Sequence, residues 1–155
     1  PKHIILRTSW VFGSHGSNFI KTILRLIKDK ESLNIVADQW GSPTSACMLA
    51  NVTFKIMDTI LKNKNFCDYG TYHVTNEGET NWYQYASLIA SEVAKLDVKI
   101  KCTSQNIHPI HTSEFPTTAS RPLNSRLNTD KLKKTFMLEL PNWELEVKKV
   151  LREII

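Results

Sequence analysis

The feature that most constrains the fold is a buried-strand pattern at residues 3–8. This segment reads His-Ile-Ile-Leu-Arg-Thr, a short apolar run that ends in polar residues, as a strand inside a parallel sheet does. A second hydrophobic strand is predicted at 71–74. Weaker strand patterns at 33–37 and 98–103 are typical of a small separate sheet, and in 98–103 apolar and polar residues alternate.

Helical patterns alternate with these strands, which predicts an α/β fold. The helices are expected where apolar residues recur three and four positions apart behind a Ser, Thr or Asn cap: 19–28, 45–62, 80–94, 129–136 and from 142 onward. A doubly wound sheet has about five or six parallel strands, and the sequence offers only the three or four predicted above. Residues 1–155 are therefore predicted to be part of a larger fold, contributing edge strands of a parallel sheet and a small subdomain.

Residues 104–128 are rich in Pro, Ser and Thr and have no helical period. We predict a long loop here, and loops of this length in a compact domain are usually functional.

Composition excludes several classes of protein. No run of about 18 apolar residues exists, which argues against a membrane-spanning helix. The net charge is +5, and the lysines are scattered over predicted helix faces without a nucleic-acid recognition motif. We expect no nucleic-acid or membrane partner, although a basic pocket would suit a nucleotide diphosphate. The chain starts with neither Met nor a signal-peptide pattern, so we expect it to begin within a longer protein.

The three cysteines, Cys47, Cys67 and Cys102, form no C-x-x-C motif. An odd number without that motif indicates a reducing compartment, so we expect a cytoplasmic protein without a disulfide framework or zinc site. The five histidines lack metal-ligand spacing, and we expect no bound metal. The sequence has no Gly-rich dinucleotide fingerprint and no P-loop.

Three clusters of polar and aromatic residues remain as candidate ligand contacts. The first, residues 7–13, follows the first strand, where α/β folds bind ligands. Trp10 could contact a sugar or belong to the core, and spacing leaves both open. The second joins 17–19 to 39–44. Asn18 at a helix amino terminus could contact an anion or only cap the helix, and Thr44 could simply begin the next helix.

The third cluster, residues 119–129, holds two arginines and two asparagines in one loop. Arg121 precedes a proline, which stiffens the loop, and a guanidinium held in this way suits bidentate phosphate recognition. The alternative is that Arg121 and Arg126 pair with surface carboxylates. The crowding of these side chains favours a ligand.

The order and spacing of these clusters resemble the dTDP-4-dehydrorhamnose reductases over essentially the whole chain. Five segments carry the resemblance: Arg-Thr-Ser-Trp-Val-Phe at 7–12, Asn-Phe at 18–19, Asp-Gln-Trp-Gly-Ser-Pro-Thr at 38–44, Ser-Arg-Pro-Leu-Asn-Ser-Arg-Leu-Asn-Thr at 120–129, and Leu-Pro-Asn-Trp-Glu at 140–144. The Arg-Pro and Asn-Ser loop is also similar to the regulatory subunit of methionine adenosyltransferase.

The resemblance implies the carboxyl-terminal, substrate-binding portion of an extended Rossmann-type short-chain dehydrogenase/reductase. Such enzymes reduce the 4-keto group of dTDP-4-dehydro-L-rhamnose with NADPH or NADH to give dTDP-L-rhamnose. Their Gly-rich cofactor loop and catalytic Tyr-x-x-x-Lys pair would lie upstream of Pro1, so no catalytic residue is expected here. We expect the parent protein to be an enzyme and this chain alone to be inactive.

By the same resemblance, the sugar nucleotide would contact Trp10, Asn18, Gln39, Thr44, Arg121 and Asn124, and the nicotinamide end of the cofactor would lie near Thr8 and Ser9. Two residues depart from the family pattern. Phe12 replaces a Tyr, and Cys47 stands where some relatives have a Glu, which puts a carboxylate-dependent subunit contact at that point in doubt. The expected partners are a dTDP-sugar substrate and, as the candidate assembly, a second copy of the chain in a homodimer. A non-enzymatic regulatory module, or a reductase or epimerase for another sugar nucleotide, are the alternatives.

Overall fold

The computed structural model describes residues 2–117 and 119–155. Pro1 and Thr118, which fall at the start of the chain and in the predicted 104–128 loop, lie outside the described residues. The strands are β1 (Ile4–Arg7), β2 (Val11–Phe12), β3 (Leu33–Val36), β4 (Trp40–Gly41), β5 (Thr44–Ser45), β6 (Gly70–His73), β7 (Thr80–Asn81) and β8 (Ile107–Ile110). The helices are α1 (Phe19–Asp29), α2 (Ala46–Lys62), α3 (Trp82–Ala94), α4 (Asp130–Phe136) and α5 (Trp143–Ile154), with single 3₁₀ turns at Ser104–Asn106 and Thr112–Glu114.

The first strand pairs as its sequence predicts. β1 and β6 are parallel, with Ile4 opposite Gly70 and Arg7 opposite His73. Ile4 and Leu6 pack against the core formed with α2, whereas Ile5 on the other face is 49% exposed. The predicted α/β class and both predicted parallel strands are confirmed, and the structure shows that the two strands pair with each other.

The strand predicted at 98–103 is wrong. β3 pairs in parallel with β8, Leu33 opposite Ile107, and residues 98–103 form no strand. Instead, the backbone N–H groups of Lys101 and Cys102 both donate to the carbonyl of Ile27, at 2.9 and 3.0 Å, at the end of α1. The alternating pattern arises because Val98 and Ile100 rest on the core while Lys99 and Lys101 face solvent.

The 104–128 segment is correspondingly more structured than a plain loop. It contains β8 and both 3₁₀ turns. Pro109 sits in the middle of β8, where a missing backbone donor is tolerated because the strand pairs on one side only.

Two hydrophobic cores hold the helices. The first joins α1, α3 and α5, and its fully buried members include Ile20, Ile89 and Val147. The second joins α2 and α4 to β6 around Tyr72. Each predicted helix is confirmed to within two residues at its start, and the Asn18 side chain caps α1 by accepting from the Lys21 N–H at 3.2 Å. Within the described residues, none of the helices is both long and apolar enough to span a membrane.

Met137→Gly is expected to stabilise the chain by about 0.5–1 kcal/mol. Met137 ends α4 in the left-handed conformation, with φ 48° and ψ 51°, and its side chain is 91% exposed, so little packing would be lost. Urea unfolding measures the effect. Met57→Gly is the control: Met57 is exposed inside α2, and the change there should cost about 1 kcal/mol. A Met137→Gly chain less stable than the wild type would contradict the prediction.

Candidate ligand-binding site

An aromatic stack lies at the carboxyl end of β1. Trp10 adopts a left-handed backbone, with φ 50°, and its ring stacks on Trp82 with centroids 3.6 Å apart and planes 15° apart. Trp82 also meets Phe19, with centroids 4.6 Å apart. The Trp10 ring lies directly on Gly41, because a Cβ built on that glycine would come within 2.5 Å of a ring carbon. Trp10 is thus half-buried and packed against the first core.

Beside this stack is a cavity of about 370 Å³. Its walls are aromatic and aliphatic, and its polar groups are two amides, a hydroxyl and a guanidinium. The lining residues are Phe19, Asn34, Ile35, Val36, Gln39, Trp82, Phe115, Thr117 and Arg121. Mostly apolar cavities with a few convergent polar groups bind small molecules. Aromatic walls suit a planar ring, and an arginine suits an anionic group attached to that ring.

The amide of Gln39 is 6% exposed and is held at both ends. Its Nε2 donates to Thr112 Oγ1 at 3.1 Å, and its Oε1 accepts from Trp82 Nε1 at 3.2 Å. Thr112 in turn donates to Asp38, from Oγ1 at 2.6 Å and from its backbone N–H at 3.1 Å to each carboxylate oxygen. The hydroxyl of Thr112 holds the pKa of Asp38 below its usual value, against the opposing effect of burial.

Arg121 and Arg126 differ in their surroundings. Arg126 makes an ion pair with Glu79 at 3.0 Å and donates from Nε to Asn124 Oδ1 at 2.9 Å. The surface-pair alternative therefore holds for Arg126, and the carbonyl oxygen of Asn124 is used within its own loop. Arg121 lines the cavity, and among residues 2–117 and 119–155 it has no carboxylate partner within 4.0 Å.

Apart from Phe19 and Gln39, the predicted contacts of the first two clusters lie outside this cavity. Thr44 is completely buried, and its hydroxyl donates to the Ser42 carbonyl. Asn18 caps α1 and donates from Nδ2 to Gly13 at 2.7 Å, beside a different cavity of about 660 Å³. Thr8 is exposed, and the Ser9 hydroxyl donates to the Ser125 carbonyl at 3.3 Å. The structure thus brings Gln39 and Arg121 together in one cavity, while Asn18 and Thr44 do not line it.

Cys47 lies in that larger cavity. The cavity is bounded by β2 and by the amino ends of α1 and α2, with Lys149 and Glu153 of α5 on its other side. Glu146 accepts from Lys149 at 2.6 Å and raises the pKa of that lysine. Cys47 is an exposed free thiol.

Among the lining residues that the sequence did not predict as ligand contacts are two aromatic ones, Trp82 and Phe115. Trp82 was counted only as part of a helix, and Phe115 fell in the unassigned loop. Trp82 directly follows Asn81, whose side chain caps α3 by accepting from the Gln84 N–H at 2.8 Å. Trp82 falls on the apolar stripe of α3 with Tyr85, Ile89 and Val93, so its helical spacing predicts a core residue and carries no signal that would single it out as a site residue.

The fold and the cavity together define the class: part of an α/β protein with short parallel strand pairs and a cavity of the kind that binds small molecules. A family model described as the RmlD substrate binding domain matches residues 1–155. The chain belongs to this family.

Named relatives give the same result. The chain is 45% identical over 154 residues to dTDP-4-dehydrorhamnose reductase of Salmonella typhimurium, covering 99% of the chain and 50% of that protein. It is 42% identical over 153 residues to the reductase of Escherichia coli, again covering 99% of the chain and 50% of that protein. The chain thus spans about half the length of these relatives, and the predicted resemblance is confirmed.

A solved structure is similar over the same extent. The crystal structure of dTDP-4-dehydrorhamnose reductase from Bacillus anthracis in complex with NADP has a TM-score of 0.84 and 37% identity, covering 99% of this chain and 49% of that one. The match covers about half of a reductase chain, so the predicted α/β fold class is confirmed as a portion of that larger fold.

Proposed function

We propose that this chain is the sugar-nucleotide-binding part of a dTDP-4-dehydrorhamnose reductase, which reduces dTDP-4-dehydro-L-rhamnose to dTDP-L-rhamnose with NADPH or NADH. The observation that carries the proposal is the cavity in which aromatic walls, the Gln39 amide and the Arg121 guanidinium converge. A thymine ring fits the aromatic walls, and the diphosphate carries the negative charge that an arginine binds. Family membership supports the same substrate class.

The chain's part in the reaction would be to bind and orient the substrate. Contacts to both the base and the diphosphate would fix where the sugar lies. Thr8 and Ser9 lie at the carboxyl end of β1, and α/β folds bind their ligands at this edge of the sheet. Of the contacts expected from the resemblance, Gln39 and Arg121 have the strongest support. Trp10 would act mainly through Trp82, because its ring is committed to their stack.

The residues present fit one edge of a nicotinamide cofactor. Thr8 is an exposed residue directly after β1, and a threonine hydroxyl can hydrogen-bond a carboxamide or a ribose. The sequence holds no Gly-rich loop for the pyrophosphate, so most of the cofactor would be bound by the amino-terminal half that the relatives have in addition. When bound, the reduced nicotinamide supplies the hydride.

We also propose a cytoplasmic location and leave a homodimer as the candidate assembly. Two of the three cysteines, Cys47 and Cys67, are exposed free thiols, which suits a reducing compartment. Exposed apolar side chains on α2, namely Phe54, Met57 and Leu61, offer a surface for association. The regulatory-module alternative would use such a surface without needing the cavity.

Arg121→Ala is expected to weaken dTDP binding by roughly 10- to 100-fold, because a charge-assisted phosphate contact contributes about 1.5–3 kcal/mol. Binding is measured by quenching of Trp fluorescence, since Trp82 lines the cavity. Arg126→Ala is the matched control: it removes an arginine of the same loop that is already paired with Glu79, and it should leave affinity within about twofold. A wild-type chain that does not bind dTDP, or an Arg121→Ala chain that binds it normally, would argue against the proposal.

A further inference from the structure

A line of hydrogen bonds runs from the surface to the aromatic wall of the cavity. It starts at the carboxylate of Asp38, passes through the Thr112 hydroxyl and the Gln39 amide, and ends at the Trp82 indole. The line joins segments that are far apart in sequence, since Asp38 and Thr112 are 74 positions apart. We name these four residues the relay.

The direction of each hydrogen bond in the relay is fixed by chemistry. An ionised Asp38 only accepts, so the single proton of the Thr112 hydroxyl must point to it. Thr112 can then only accept from Gln39, which turns the amide nitrogen toward it. The Trp82 indole only donates, which independently turns the amide oxygen of Gln39 toward Trp82. Both ends therefore impose the same orientation on the amide, and each buried polar atom along the line has a partner.

The relay also holds the segment that covers the cavity. Thr112 begins the 3₁₀ turn that ends at Glu114, and Glu114 accepts from the His111 N–H at 2.8 Å. Phe115 follows this turn and contributes to two cavities at once, the one beside Trp82 and a neighbouring groove of about 540 Å³ along α1. Because Phe115 is 53% exposed, its position depends on the turn before it more than on packing around its ring.

We infer that Asp38 is a positioning residue for nucleotide recognition, acting through Thr112 and Gln39 on the Trp82 ring and through the 111–114 turn on Phe115. The inference rests on the proposed function, because it assigns to the cavity the base end of a nucleotide. Arg121 would bind the diphosphate of the nucleotide and does not belong to the relay. Breaking the relay should therefore weaken binding of the base and leave the phosphate contact in place.

Thr112→Val tests the relay, because it removes the hydroxyl and keeps the side chain's shape and backbone N–H. It is expected to weaken binding of dTDP and of thymidine by the same factor, about tenfold. Arg121→Ala, in contrast, should weaken dTDP far more than thymidine. Thr112→Ser keeps the hydroxyl and should restore affinity to within about twofold. Thr53→Val is the matched control, since the Thr53 hydroxyl only donates to the Leu49 carbonyl on α2.

A measurement without ligand separates this inference from the proposed function. The stacked Trp10 and Trp82 rings should give a near-ultraviolet circular dichroism signal that Trp82→Phe identifies. Thr112→Val should reduce that signal, and Thr112→Ser and Thr53→Val should not. If the signal falls but the wild type binds no dTDP, the proposed function fails while the relay stands. If Thr112→Val changes neither the signal nor thymidine affinity, or Thr112→Ser fails to rescue them, the inference is overturned.

Discussion

Gly41→Ala is expected to destabilise the chain by about 3 kcal/mol and to abolish dTDP binding. A Cβ at this position would lie 2.5, 2.7 and 2.9 Å from three carbons of the Trp10 ring, well inside van der Waals contact. Gly41 is buried in β4, where it pairs with Thr80, so its backbone has little room to retreat.

The Trp10 ring cannot move aside cheaply. It is stacked on Trp82 at 3.6 Å, and its own backbone is already in the left-handed region. Displacing it would push Trp82, which forms a wall of the cavity and receives its orientation from Gln39. The steric cost at Gly41 is thus transmitted to the cavity through two stacked rings, which is why stability and binding should be lost together.

Urea unfolding and fluorescence titration with dTDP measure the two effects. Gly13→Ala is the matched control, because a Cβ there meets only the Ala46 Cβ at 3.4 Å, an ordinary contact. The free energy of unfolding of that variant should lie within about 1 kcal/mol of the wild-type value. A Gly41→Ala chain with wild-type stability and affinity would mean that the stack of Trp10 on Gly41 does not hold in solution.

Hydrophobic periodicity predicts most of the fold because burial imposes it. The pattern at residues 19–28 places Ile20, Ile23 and Ile27 on one stripe, and the structure buries all three. The run at 3–8 was correctly assigned as a strand for the same reason. The burial pattern predicts the wrong structure at residues 98–103, because apolar and polar residues can alternate in a segment that lies on a core without pairing with a strand. The strand that does pair with β3 contains Pro109, and a proline argues against a strand in the sequence.

The site was predictable only in part because its walls come from distant segments. Arg121 is predicted from its chemistry and Gln39 from the family resemblance, and the two share the cavity. Asn18 has the same amide group as Gln39, and Thr44 offers a hydroxyl, but helix capping and a local hydrogen bond occupy these polar groups. Which of two similar side chains reaches a cavity depends on contacts between segments that lie about 40 to 80 positions apart in the sequence. The hydrogen bond from Trp82 to Gln39 is one example, across 43 positions. No local pattern contains that information.

The 155-residue chain is expected to show no oxidation of NADPH above background when supplied with dTDP-4-dehydro-L-rhamnose, even under conditions where it binds dTDP. A reductase of this family needs a proton donor beside the keto group, and a general acid typically contributes 10² to 10⁴ in rate. None of the four tyrosines, Tyr69, Tyr72, Tyr83 and Tyr85, is followed by a lysine four positions later. The absorbance of NADPH at increasing chain concentration is the measurement.

A protein in which this chain is joined to the other half of a reductase should show the turnover that the chain alone does not. The chain covers 50% of the Salmonella typhimurium reductase. The other half of that protein, which by our proposal is the amino-terminal half that binds the cofactor, should restore turnover when it is joined to this chain. Arg121→Ala in the joined protein should then raise KM for the sugar nucleotide more than it lowers kcat, because in the proposed complex Arg121 would hold the substrate at a distance from the reacting carbonyl. Turnover by the chain alone that depends on Arg121 would show that it carries its own proton donor, and the division of labour proposed for the two halves would be wrong.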